Sequence, residues 1–271
     1  MMTLAEIASA VGARIDGPHA QTPITTICTD TRKLAPGCLF IPLVGENFDG
    51  HDFLQAACAQ AAAVLSHQEA EGLSKPVLRV RDTGQALLDL AHAYRRRFSL
   101  PIVGVTGSVG KTTTKEMIYT VLSSQYRTLR TAGNLNNQVG LPLTLLGLCG
   151  EDEAAVIEMG MSGLGEISAL SRATEPTIAV ITNIGVSHIE NLGSRENILK
   201  AKLEIADGLR PGAPLLINLD NDLWAACCRW GPSHQTYAVQ NPAADVRTRN
   251  IRKQGFATSF EIAYQGELTR R

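Results

Sequence analysis

A chain of 271 residues, 44% of them hydrophobic and 19% charged, has room for one or two globular domains and enough apolar side chain to fill their cores. Its 25 Lys and Arg balance 26 Asp and Glu, and the only notable like-charge run is Arg95-Arg96-Arg97, so a general nucleic-acid surface is excluded. Six cysteines without a C-x-x-C pair read as reduced thiols, and there is neither a leader-like start nor an apolar run of about 20 residues, so the expected location is the cytoplasm with no membrane span.

Thr3 and Glu6 form a capping-box pattern, which predicts a helix over 3–11. Ile24–Thr29 alternates like a strand, and Leu39–Val44 is an apolar run between Pro36-Gly37 and Gly45. An alanine-rich helix is expected over 52–63, a strand at Val77–Val80, and a helix over 83–97 that ends in the three arginines. Pro101 follows as a boundary, so residues 1–98 read as a small α/β domain. From Ile102 the pattern changes. Apolar strands at Ile102–Val105, Ala154–Ile157, Thr177–Thr182 and Pro214–Asn218 alternate with helices over 111–124, 164–173, 194–209 and 221–229. Continuous apolar strands between helices predict an α/β fold, a parallel sheet covered on both faces. After residue 234, short alternating segments such as Ser259–Tyr264 read as antiparallel strands at the sheet edge. The last residues stop in mid-pattern, so the chain is expected to be part of a longer protein.

The strand Ile102–Val105 leads into Thr106-Gly107-Ser108-Val109-Gly110-Lys111-Thr112-Thr113 and then a helix. Strand, glycine loop and helix start are what triphosphate binding needs. Glycines let backbone N–H groups wrap the phosphates, Lys111 reaches the β- and γ-phosphates, and the Thr112 hydroxyl can ligate Mg2+. Valine stands at 105, where the strict phosphate-loop pattern has glycine.

Glu158 lies at the carboxyl end of a strand, where open parallel sheets bind ligands, and a carboxylate there suits Mg2+. The plainer reading is a solvated strand-end acid. His188 also follows a strand end, as a candidate ligand or phosphate contact. Lys202 falls within the apolar stripe of Ile198, Leu199, Ile205, Ala206 and Leu209, while Lys200, Glu204 and Asp207 fall on the polar face. An inward lysine is costly unless it is paired or modified, the alternative being that it snorkels outward. Asn134–Pro142 is a dense amide cluster that offers neutral donors and acceptors to a polar ligand.

Taken in order, Thr106–Thr113, Asn134–Pro142, Glu158-Met159-Gly160, Thr182–Gly185 with His188, and Lys200–Ile205 resemble the Mur ligase family, the ATP-dependent amide-forming enzymes of peptidoglycan synthesis. The stretches Thr29-Asp30-Thr31-Arg32, Gly45–His51, the Asn136-Asn137 pair and Glu158–Met161 are most similar to the members that join D-alanyl-D-alanine to UDP-N-acetylmuramoyl-tripeptide. The resemblance implies a UDP-sugar-peptide-recognition domain over 1–98 and a central ATP-binding domain over 99–271. It implies ATP and Mg2+ as cofactors and an acyl-phosphate route to the amide, in a monomer. Residues 106–113 would bind ATP, and Lys111 would act in phosphoryl transfer. Thr112 and Glu158 would hold one Mg2+, and His188 would hold a second. Lys202 matches a lysine that is carbamylated in the family and supports that second ion. Thr29, Asp30, Thr31 and Arg32 would sit near the UDP end, with Asn136 and Asn137 near the sugar-peptide.

Val109 stands where the family often has a polar residue. The chain also ends before the family's adenine-contacting segment and C-terminal domain, so these residues alone are expected to be inactive. The alternatives are a folylpolyglutamate- or cyanophycin-type ligase, a non-catalytic UDP-muramyl-peptide-binding module, and an unrelated phosphate-loop ATPase.

Overall fold

The computed structural model describes residues 2–15, 18–69, 72–230, 233–264 and 267–270. The chain divides into two compact units, Met1–Phe98 with Pro142–Gly147, and Ser99–Leu141 with Leu148–Arg271.

In the first unit, β1 (Met2–Thr3) runs into α1 (Leu4–Ala10) and pairs antiparallel with β2 (Pro23–Ile24). The capping box forms: the Thr3 hydroxyl accepts from the Glu6 amide at 3.2 Å, and the Glu6 carboxylate accepts from the Thr3 amide at 2.6 Å. There follow β3 (Thr26–Cys28), β4 (Cys38–Phe40), α2 (Leu54–Ala57), β5 (Ala63–Ser66), β6 (Val77–Arg79) and α3 (Thr83–Arg95). The four strands β3 to β6 form a parallel sheet in sequence order.

The helix expected over 52–63 is only α2, preceded by a 3-10 turn at Gly50–Phe53, and Ala63 opens a strand instead. Alanine tolerates either state. What decides is the position of β5 between Leu39-Phe40 and Val77-Leu78, where all four of its residues are buried. Cys28, Cys38 and Cys58 are unpaired thiols in this unit's core, beside Phe40, Leu54 and Val64. Leu143, Leu146 and Gly147 join Met2, Ile24, Leu90 and Tyr94 around an open pocket of about 190 Å3 in the same unit.

The second unit begins with β7 (Ile102–Thr106), α4 (Lys111–Leu122), β8 (Thr128–Arg130), the start of α5 (Gly140–Leu145), β9 (Ala154–Glu158), α6 (Glu166–Thr174) and β10 (Ile178–Ile181). It continues with α7 (Ile189–Leu192), α8 (Arg195–Leu203), β11 (Leu215–Asn218), α9 (Trp224–Trp230), β12 (His234–Ala238), β13 (Val246–Gln254), β14 (Ala257–Tyr264) and β15 (Glu267–Arg270). The helix expected to reach 209 gives way to a 3-10 turn at Glu204–Gly208.

The strands form a nine-stranded sheet in the order β8-β9-β7-β10-β11-β12-β13-β14-β15. It is parallel from β8 to β13, and β13, β14 and β15 pair antiparallel at its edge. Val103, Val105, Val156 and Val180 pack against Ile118, Tyr119 and Leu122 of α4, as a parallel sheet under helices requires. After β7 the chain builds β8 and β9 on one side and β10 on the other. This reversal opens a crevice beyond the carboxyl ends of β7, β9 and β10, the usual ligand position in such sheets. No helix among the described residues is long and apolar enough to cross a membrane.

Candidate functional site

β7 is buried along its whole length, and the Thr106 hydroxyl at its end donates to the Met159 carbonyl at 2.9 Å, which ties β7 to the end of β9. The chain then turns through Gly107 at φ +149° and Gly110 at φ +83°. A Cβ on Gly107 would collide with the Thr182 hydroxyl, so only glycine lets the loop lie against the end of β10.

The segment after β10 laces this loop in place. The Asn183 carbonyl accepts from the Ser108 amide at 3.1 Å, and the Asn183 side-chain oxygen accepts from the Val109 amide at 3.0 Å. The Thr182 hydroxyl donates to the Val109 carbonyl at 2.7 Å, and the Ser187 hydroxyl donates to the Ser108 carbonyl at 3.1 Å. Val109 itself is exposed.

α4 starts with Gly110 as its N-cap and no side chain capping it. Its first amides are thus left for an anion, at the positive end of a helix dipole. Lys111 folds back and donates to the Gly107 carbonyl at 2.9 Å. Burial lowers its pKa from the ordinary lysine value, while the Glu158 charge pulls the other way. Thr113 is exposed, and Thr112 donates to Glu158 Oε1 at 3.3 Å.

Glu158 closes β9 with 1% of its surface exposed. Its Oε1 also accepts from Asn136 Nδ2 at 2.7 Å, whereas Oε2 accepts no hydrogen bond. The Lys115 ammonium stands 3.6 Å from Oε2, close enough to count as an ion pair but too far for a hydrogen bond. A buried carboxylate oxygen without a donor is costly, and a hard cation removes that cost. No three His, Cys, Asp or Glu side chains gather as a metal cluster among the described residues. A carboxylate and a hydroxyl nevertheless fit Mg2+, which keeps several waters and takes phosphate oxygens as further ligands.

The amide cluster divides its work. Asn136 serves Glu158, and its carbonyl accepts from the Gly160 amide at 2.8 Å. A Cβ on Gly160 would come within 2.7 Å of Asn136 Oδ1, which accounts for glycine there. The side-chain oxygen of Asn137 accepts from the Val139 and Gly140 amides at 3.2 and 2.9 Å, so it shapes the turn into α5.

Lys202 is 1% exposed on α8, and its pKa is pushed down to about 7, first by burial and then by the charge of Lys111. Glu166 and Glu204 oppose the shift. The Glu204 carboxylate in addition caps the start of α6, accepting from the Gly165 and Ser168 amides at 2.7 and 3.2 Å.

His188 is half-buried in a left-handed conformation, φ +64°, at the start of α7. It sits one residue beyond the Ser187 contact to the loop. Its ring makes no hydrogen bond to Thr112, Glu158 or Lys202 among the described residues; Thr112 meets Glu158, and Lys111 feels the charges of both Glu158 and Lys202.

In the first unit, Asp30 caps the 3-10 turn Thr31–Lys33 and accepts from Arg32 at its amide, Nε and Nη2, at 3.0, 2.9 and 2.8 Å. Hydrogen bonds from Arg32 hold the Asp30 carboxyl down at about 2. Arg32 is exposed, and Thr29 and Thr31 are half-buried.

Sequence reasoning missed Lys115. It is fully buried on α4 and donates to the Thr131 and Gly133 carbonyls at 2.8 and 3.2 Å. The signal was its spacing, four residues after Lys111 and hence on the same helix face.

The Mur ligase middle domain matches residues 105–269, and the Mur ligase family catalytic domain matches residues 23–95. A UDP-N-acetylmuramoyl-tripeptide--D-alanyl-D-alanine ligase of Bacillus subtilis is 44% identical over 275 residues, covering 98% of this chain and 60% of that protein. Its namesake in Escherichia coli is 41% identical over 263 residues, covering 96% and 58%. The crystal structure of MurF from Acinetobacter baumannii matches with a TM-score of 0.89 at 30% identity, covering 98% of this chain and 59% of that one. The MurF ligase from Thermotoga maritima in complex with ADP matches with a TM-score of 0.82 at 30% identity, covering 92% and 57%. The chain thus spans 60% or less of the length of these relatives. With two family domains matched in order and the fold shared, the chain belongs to the Mur ligase family.

Proposed function

We propose that this chain carries the UDP-sugar-peptide-recognition and ATP-binding parts of an ATP-dependent ligase that joins D-alanyl-D-alanine to UDP-N-acetylmuramoyl-tripeptide in peptidoglycan precursor synthesis. The observation that carries the reading is the meeting, at one switch point, of an uncapped helix start, Lys111, and Glu158 with an oxygen left without a donor. Residues 1–98 are the recognition domain and 99–271 the ATP-binding domain in this reading.

The loop Thr106–Thr113 takes the phosphates on its amides, and Lys111 leaves the Gly107 carbonyl to meet them. Thr112 and Glu158 hold Mg2+, which when bound neutralises charge that develops on the transferring phosphoryl group. The substrate carboxylate needs this activation because it is a poor electrophile; phosphorylation gives an acyl phosphate, and the amine of D-alanyl-D-alanine then displaces phosphate.

Lys202 has the property that carbamylation demands, since an amine that titrates near 7 is neutral often enough to attack CO2. The product is an anion, suited to a second Mg2+ shared with His188. In this reading Thr29, Asp30, Thr31 and Arg32 are the candidates for contacts to the UDP end of the substrate, and Asn136 and Asn137 for contacts to its sugar-peptide.

The test is calorimetric titration of the chain with UDP-N-acetylmuramoyl-tripeptide, with UDP-N-acetylmuramic acid as control, and separately with ADP in the presence and absence of Mg2+. Tripeptide-dependent binding and Mg2+-dependent ADP binding are expected. A folded chain that binds neither would remove the reading.

A further inference from the structure

Lys115 is the one buried charge at this site that the proposed chemistry leaves unused. A lysine with 0% exposure is expensive, and methionine would fill the same volume at lower cost if packing were its task. Its ammonium protons are allotted with some care. Two go to the Thr131 and Gly133 carbonyls at 2.8 and 3.2 Å. The remaining direction is shared between Glu116 Oε1 at 3.2 Å and Glu158 Oε2 at 3.6 Å.

All of these contacts except that with Glu116 lead back to Glu158. The Thr131 hydroxyl accepts from the Glu158 amide at 2.9 Å, so the residue whose carbonyl Lys115 grips also fixes the backbone of the acid. Gly133 begins the turn that delivers Asn136, whose amide donates to Glu158 Oε1 at 2.7 Å. Lys115 therefore braces the segment that grips one carboxylate oxygen and stands off from the other, at a distance that aligns it by charge without occupying it.

We propose that Lys115 is a positioning residue for the divalent-cation site: through Thr131, Gly133 and Asn136 it orients Glu158, and its attachment to Glu116 keeps Oε2 open for the cation. The proposal rests on the reading that Glu158 and Thr112 hold Mg2+.

Two opposite effects separate it from plainer accounts. Removing an ammonium 3.6 Å from a ligand oxygen would by itself tighten cation binding, because a like charge disappears. Loss of an orienting partner weakens metal affinity by about 10- to 100-fold in metal sites generally. The positioning role requires the second effect to win.

The experiment measures binding of a fluorescent ADP analogue against MgCl2 concentration, and in EDTA, for the wild-type chain, Lys115→Met and Glu116→Gln. For Lys115→Met the Mg2+ half-saturation should rise by about 10-fold or more, with affinity in EDTA within about twofold of wild type. Glu116→Gln alters a half-exposed side chain and removes its charge from Lys115 and Arg130, a surface change expected to cost little stability. The neutral amide oxygen holds Lys115 less strongly and lets it shift toward Oε2, so half-saturation should rise severalfold with EDTA affinity again unchanged. This variant decides the matter if Lys115→Met does not fold. An unchanged or lower half-saturation in whichever variant folds overturns the proposal, and so does an equal loss in EDTA, which would make Lys115 a brace for the phosphate loop alone. A wild-type chain that binds ADP without regard to Mg2+ would instead sink the metal reading beneath it.

Discussion

The molecule contains two parallel sheets that handle charge in different ways. In the first unit the strands follow in order β3-β4-β5-β6, so the sheet has no point at which its direction of growth reverses. Its buried polar side chains are satisfied locally: His51 Nδ1 meets Asp49 at 2.6 Å, and Arg95 donates to the Phe98 carbonyl at 3.0 Å. Its most strongly perturbed acid, Asp30, is at the surface and fully engaged by its own neighbour Arg32. In the second unit the order reverses at β7, and there three charged groups, Lys115, Glu158 and Lys202, are buried; one Glu158 oxygen is left without a donor, and burial pushes Lys202 down to about 7. The contrast teaches that burial of charge does not by itself mark chemistry; burial without full satisfaction, at a switch point, does.

The comparison can be broken at four places. Gly107→Ala should cost the most, because it combines a collision with Thr182 and a φ that L-residues rarely adopt. We expect ADP affinity to fall by about 100-fold, corresponding to roughly 3 kcal/mol of strain and clash. Near-normal binding would show that the loop is softer than its lacing suggests.

Lys202→Met should raise stability at neutral pH by about 1–4 kcal/mol in chemical denaturation, while removing the amine proposed for carbamylation. The sign follows from linkage. Lys202 titrates at about 7 in the native state and near 10.5 when unfolded, so the unfolded chain holds more protons between those values. Wild-type stability from this group therefore rises with pH across that window, and its full penalty is present below about 7. The variant should lack this slope; identical pH profiles would show that Lys202 is not buried as a charge.

Thr3→Ala removes the capping box of α1 and should lower the stability of the first unit by about 1 kcal/mol, read in the same denaturation experiment. Arg32→Ala should have the smallest effect on stability, moving the thermal midpoint by no more than about 1 °C, since exposed ion pairs contribute little. If Arg32 also reads the diphosphate, the variant weakens binding of UDP-N-acetylmuramoyl-tripeptide; unchanged binding would take residues 29–32 out of the substrate site.

Periodicity and local chemistry made much of this legible in the sequence. The capping box at Thr3, the apolar strands β7, β9 and β10, the glycine loop and the inward Lys202 each show in residues close together in the chain. What stayed hidden depends on distant partners. β5 lies in an alanine-rich stretch whose state is decided by β4 and β6 on either side of it. β8 is a three-residue strand, too short for a pattern. Lys115 sits among Thr112, Thr113, Thr114 and Glu116 and reads as part of a polar helix face; only the fold brings Thr131, Gly133 and Glu158 around it. The Asp30–Arg32 pairing and the turn-shaping role of Asn137 were equally invisible, because a motif names side chains without saying which are already engaged.

The six residues Pro142–Gly147 leave the second unit's stretch of chain to complete the first, and this bears on how the protein is made. As the polypeptide emerges during synthesis, the wall formed by Leu143, Leu146 and Gly147 arrives only after β7, the phosphate loop, α4 and β8 have already appeared. The amino-terminal unit is therefore expected to gain this wall only after the next one has begun to appear, a departure from the usual succession of domains on the ribosome. A gene divided after Phe98 would yield a product whose pocket lacks part of its lining, and supplying residues 142–147 in trans should be what restores it.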